Sequence, residues 1–113
     1  MKAYLIDPYE CTITEVEYSG DYTDIYKLID ASCFDCVGFN KFKDTLYVDD
    51  EGLYKEHKEF FMIEGYPQPL VGKALVLGTN AHGNSIAPKI SLTKLKSMVD
   101  FIPSIFITEV GPA

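Results

Sequence analysis

The sequence predicts an α+β fold, a mixed and mostly antiparallel sheet with two helices packed on it. Three observations point there. Short β-rich runs cluster along the chain, and only two stretches carry apolar residues at helical spacing. The order is β-β-α-β-β-β-β-α-β, which lacks the strict strand–helix alternation of a doubly wound sheet. At 113 residues the chain is one domain, residues 1–113, large enough for a single core.

Lys2 to Ile6 is a short apolar run closed by the turn signal Asp7-Pro8, and it reads as an interior first strand. Glu10 to Tyr18 alternates polar and apolar residues and reads as the second. Its phase is imperfect, because Ile13 and Val16 cannot share a face in a regular strand. Either a bulge lies near Thr14-Glu15, or Thr12, Thr14, Val16 and Tyr18 form the inner face. After Ser19-Gly20, Asp21 is placed to accept a bond from a first-turn amide of a helix over 22–30, whose stripe is Tyr22, Ile25, Tyr26 and Ile29.

Phe34 to Phe39 and Thr45 to Val48 read as the third and fourth strands. In Asp49-Asp50-Glu51-Gly52 the aspartate suits the start of a type I turn, and the glycine suits a left-handed closing position. Phe60 to Ile63 is apolar throughout, as in a strand covered on both faces. Pro67 and Pro69 remove two backbone donors, so Gly65 to Leu70 is not an interior strand. Lys73 to Leu77 is one, and the loop after it reads as open or as a loose hairpin turning at His82-Gly83-Asn84. Ser91 caps a second helix with the stripe Leu92, Leu95, Met98, Val99 and Ile102, ended by Pro103. Residues 100–113 contain an ordered tail or a last strand at Ile105 to Val110.

Composition narrows the function classes. The chain has ten Lys, 17 acids and no Arg, for a formal charge of −7. Arginine is the usual residue for bidentate contacts to phosphate and guanine, so direct nucleic-acid binding is disfavoured. No apolar run reaches the roughly 20 residues of a membrane span, and the start lacks a signal-peptide core. These features lead to the expectation of a cytoplasmic protein, without a membrane partner.

No cofactor and no metal are expected. Cys33-Phe34-Asp35-Cys36 has the spacing of a redox or zinc pair, but it leaves a helix and enters a strand. It therefore lacks the helix N-terminus that activates such thiols. With Cys11, these cysteines read as small buried hydrophobes. The adjacent acids Asp49, Asp50 and Glu51 lack the alternating pattern of a calcium loop. Gly78 to Gly83 partly matches a phosphate loop but has Asn84-Ser85 where Lys-Ser/Thr is needed.

No catalytic constellation emerges, so the expectation is a non-enzymatic protein. A hydrolase built from His82 with Asp49 and Asp50 ranks last. For a small-molecule or nucleotide-signal binder, Tyr66, Gln68, Asn80, His82 and Asn84 are the candidate binding residues. Eight Tyr and seven Phe exceed what the helix stripes use, which suits a tyrosine-rich protein interface or self-association, or equally a small core edged with Tyr.

Three segments, TLYVDDEGLY, FFMIEGYPQPLVGKALVLGTN and SLTKLKSMV, together resemble a family of small uncharacterised proteins encoded by bacteriophages and other mobile elements. The resemblance spans about residues 20 to 100 and rests on turn and strand residues. It implies a phage-related origin. Together with the acidic charge, the surplus tyrosines and the absence of a catalytic constellation, this makes a host protein the expected partner and the host cytoplasm the expected location.

Overall fold

The computed structural model describes residues 1–39 and 43–102. Strands β1 (Lys2–Asp7) and β2 (Thr12–Glu17) lead to helix α1 (Thr23–Leu28). Strands β3 (Phe34–Gly38) and β4 (Thr45–Asp49) follow, then a 3-10 turn at Gly52–Tyr54. Next come β5 (Phe60–Ile63), β6 (Leu70–Val71), β7 (Ala74–Thr79), β8 (Ser85–Ile86), helix α2 (Leu92–Met98) and β9 (Val99–Ile102).

Two sheets form, where the sequence suggested one. The larger runs β2-β1-β7-β4-β3, with β8 paired to β7, and the smaller runs β6-β5-β9. Every strand pairing among the described residues is antiparallel, so the expected mixed character is absent from them. The helices are short, and the sheets carry most of the fold.

Alternation along the central strands explains how three layers stack. On β1, β4 and β7, the side chains of Tyr4, Ile6, Leu46, Val48, Ala74 and Val76 pack towards the small sheet and α2. Ala3, Leu75 and Leu77 take the other face, against Ile25 and Ile29 of the α1 segment. A strand buried on both sides needs apolar residues at odd and even positions alike, as in the Ala74–Leu77 run.

This layering also resolves the phase of β2. Its register with β1 is unbroken from Lys2↔Glu17 to Asp7↔Thr12, so there is no bulge. Ile13 joins the small-sheet side of the core and Val16 the α1 side, so neither expected solution is complete. At the start of α1, the Asp21 carboxylate accepts the Thr23 amide at 3.1 Å, the expected bond, although Tyr22 stands at the cap position.

The acidic turn differs from expectation. Gly52 opens the 3-10 turn and is not left-handed. A Cβ on it would lie 2.5 Å from Val71 Cγ1, so close packing on β6 is what requires glycine. The loop after β7 does form a hairpin, with Gly78↔Ile86 and Thr79↔Ser85 paired. Asp44, fully buried, accepts the amides of Lys89 and Ile90, each at 2.9 Å, and so fixes the approach to α2. The proposed strand at Ile105 to Val110 lies outside the described residues.

Candidate functional site

The five candidate binding residues fall into two groups. Asn80, His82 and Asn84 occupy the β7–β8 hairpin tip. Asn80 Oδ1 accepts the amides of His82 at 2.9 Å and Asn84 at 3.0 Å, so this oxygen closes the loop. His82 and Asn84 are exposed. Tyr66 and Gln68 belong to the turn after β5, where Tyr66 is half-buried against the core and Gln68 is exposed. Among the described residues no hydrogen bond or ion pair joins the two groups.

Tyr66 lines a cleft of about 460 Å3 with Met62, Glu64, Pro67, Met98 and Asp100. Its floor follows from strand pairing. Phe61 and Ile63 point into the core, so Met62 between them faces outward beside its cross-strand partner Asp100. The Glu64 amide donates to the Met98 carbonyl at 2.9 Å, bringing the next two side chains alongside. The cleft thus combines thioethers, a tyrosine and a proline with two exposed carboxylates. Phosphate-bearing ligands meet like charge there.

A second cluster lies where β4 ends. Asp49 is buried, and its Oδ1 accepts the Glu51 amide at 2.9 Å. Lys55 Nζ sits 2.8 Å from Asp49 Oδ2, which compensates the charge even though the approach is too oblique for a good hydrogen bond. Lys55 also donates to the Asp30 carbonyl, while Lys73 pairs with the Asp30 carboxylate at 2.6 Å. That pair raises the Lys73 pKa.

Tyr9 donates to the His57 carbonyl at 3.1 Å and stands edge-on to its ring, with centroids 5.2 Å apart. Burial raises the Tyr9 pKa; Lys55 opposes the rise and Glu59 adds to it. These contacts brace the corner that displays Leu53 and Tyr54, which are 64% and 85% exposed.

His82 and the acids Asp49 and Asp50 sit at opposite ends of the larger sheet. The pairing Val48↔Ala74 puts the acids beyond the start of β7, and His82 lies beyond its end at Thr79. Five strand steps between those ends span roughly 17 Å. Among the described residues no three His, Cys, Asp or Glu side chains converge to hold a metal ion. No helix among them is long and apolar enough to cross a membrane.

A family model described as "Domain of unknown function (DUF3846)" matches residues 1–100. The chain belongs to this family. The DUF3846 match includes β1 and β2, and so extends further towards the N-terminus than the motif resemblance that began near residue 20. It ends at the second residue of β9. The chain is also similar to "Uncharacterized protein y4iR" of Sinorhizobium fredii (strain NBRC 101917 / NGR234), with 30% identity over 92 residues. That alignment covers 80% of this chain and 56% of the relative, so the chain spans about half the length of the curated protein it matches. No solved structure matches.

In this DUF3846 chain one expectation about side chains needs correction. Cys11, Cys33 and Cys36 are free and exposed, not buried hydrophobes. Cys33 follows α1 and Cys36 lies on edge strand β3, where side chains meet solvent. Interaction with the Glu51 carboxylate raises the Cys33 pKa, and partial desolvation by its neighbours, with the Asp35 charge, raises that of Cys36, opposite to the shift of an activated thiol.

The surplus of aromatics is largely spent inside. Tyr26, Phe34 and Tyr47 form a series of tilted and edge-to-face ring contacts with centroid distances of 5.0 and 5.5 Å, and Tyr4 and Tyr18 are buried. Only Tyr22 and Tyr54 are strongly exposed among the described tyrosines. The turn signal in Asp49-Asp50-Glu51-Gly52 marks a corner at Leu53-Tyr54, but the exposure of the pair is not legible in the sequence, because two apolar residues after a turn read equally well as the start of a covered strand.

Proposed function

We propose that this protein acts without catalysis, by binding a host protein in the cell infected by a phage or carrying a mobile element. The contact we assign is the corner bearing Leu53 and Tyr54. Their 64% and 85% exposure is the observation that carries this reading. Exposed Leu and Tyr add nothing to a core, but they are the residue types that anchor interfaces when a rigid backbone presents them.

The backbone here is well braced. Gly52 packs on Val71, the Asp50 amide donates to the Cys33 carbonyl, and Lys55 ties Asp49 to the end of α1. The flanking Asp50, Glu51 and Glu56 are exposed, so a partner with a basic rim fits best. The separation of His82 from Asp49 and Asp50 supports a non-enzymatic role over the hydrolytic one.

The test compares wild type with Leu53→Ala/Tyr54→Ala in quantitative affinity capture from host lysate. The double variant is expected to keep its Tm within about 2 °C, since exposed positions contribute little to stability. A host protein held by wild type should drop at least tenfold on the variant. Equal capture by both proteins sinks the assignment. So does sedimentation showing a homodimer that the double substitution dissociates.

A further inference from the structure

We infer that the cleft across β5 and β9 receives a basic side chain, lysine or arginine, from a partner protein. This rests on the reading that the chain works by protein binding. It concerns a different surface from the Leu53-Tyr54 corner.

The argument starts from what the cleft can and cannot hold. Met62 and Asp100 are cross-strand partners, and Glu64 and Met98 are brought alongside by the 2.9 Å bond between their backbones. Apolar and acidic side chains therefore alternate along an open cleft of about 460 Å3 that Tyr66 and Pro67 also line. An anion would face two carboxylates. A purely apolar ligand would strip water from those carboxylates without replacing it, which is costly.

A long basic side chain satisfies both halves. Its aliphatic stem lies on the methionines, which adapt to irregular shapes, and its cationic head stays among the carboxylates beside solvent. Tyr66 lines the same space, and an aromatic ring attracts a cation that reaches its face. The net charge of −7 favours a basic protein over a neutral one as the source.

The three methionines make the test direct. In protein labelled with 13C-methyl methionine, Met62 and Met98 report on the cleft. Met1, bonded through its amine to Glu17 at the β2 end, serves as an internal reference. The probe is the capped peptide acetyl-Ala-Lys-Ala-amide, with its Nε-acetyl-lysine twin and free 1,5-diaminopentane as comparators.

The lysine peptide should shift the Met62 and Met98 signals saturably and leave Met1 in place. The acetylated twin should leave all three unmoved. Glu64→Gln/Asp100→Asn, both exposed sites, should weaken binding by roughly tenfold, and higher salt should weaken it further. Any one of four results overturns the inference: no shift at millimolar peptide, equal binding by the acetylated twin, an equal response at Met1, or tighter binding of the free diamine than of the peptide. Leu53 and Tyr54 take no part in this titration, so its failure leaves the corner reading standing.

Discussion

Gly65 has no room for a side chain. Its φ of +99° is a conformation that L-residues rarely adopt, and a Cβ there would lie 2.1 Å from the Phe39 carbonyl oxygen. Gly83 offers the natural comparison, with φ +85° and nothing within 4 Å of its added Cβ. Gly83→Ala should therefore cost about 1 kcal/mol, the left-handed strain alone. Gly65→Ala adds a backbone collision to similar strain and should cost roughly 2 to 5 kcal/mol. Urea unfolding of both variants decides the matter, and equal losses would mean that the Phe39 contact is not felt. The same reasoning gives the GYPQPL segment a structural role, with glycine admitting a neighbouring backbone and prolines holding the turn.

At the scale of elements, the junction of α2 and β9 is where local signals and tertiary structure part. Leu92, Leu95, Met98, Val99 and Ile102 all fit one helical stripe, yet the helix stops at Met98 and the last two serve a strand. Val99 and Phe101 pair with Ile63 and Phe61, giving central strand β5 its second neighbour. Val, Phe and Ile suit a pleated, half-buried surface better than a helix end. No periodicity within residues 92–102 can reveal a demand set by residues 60–63.

Ser91 was legible for the opposite reason: its cap acts on the next turn, accepting the Lys94 amide at 3.1 Å. Ser91→Ala should lower stability by about 1 kcal/mol. Ser91→Asp should restore it, and thermal melts of the two variants test the pair. The same division holds elsewhere. The strands β1 to β5 and β7 follow from local pattern, whereas β9 and the split into two sheets depend on contacts far apart in sequence. The cleft escaped notice for this reason, since Met62 and Asp100 meet only through the β5–β9 register.

For the whole molecule, three groups titrate in the same direction, Tyr18 on the α1 face and Tyr9 and Lys73 near the corner that follows β4. Burial raises Tyr18 above its ordinary pKa of 10.0, and burial does the same for Tyr9. The hydrogen bond to Asp30 raises Lys73 above 10.5. In each case the folded state holds its proton more tightly than the unfolded chain. The contribution to stability is complete below the ordinary value and is lost as pH rises through the raised one. Below pH 9 these groups therefore leave Tm level, and from about pH 10 upward Tm should fall. The three sites sit on the α1 face, at the β1–β2 turn and beside the acidic corner, so the loss reflects the assembled molecule and not one loop. Tyr18→Phe carries no ionisable hydroxyl into the unfolded state and should flatten part of the alkaline decline while leaving the curve below pH 9 unchanged in shape. Melts of both proteins from pH 7 to pH 11.5 give the comparison. A wild-type Tm that rises through that range would mean that the folded state releases these protons more readily than the unfolded chain, contrary to the burial of Tyr18 and the Lys73–Asp30 pairing.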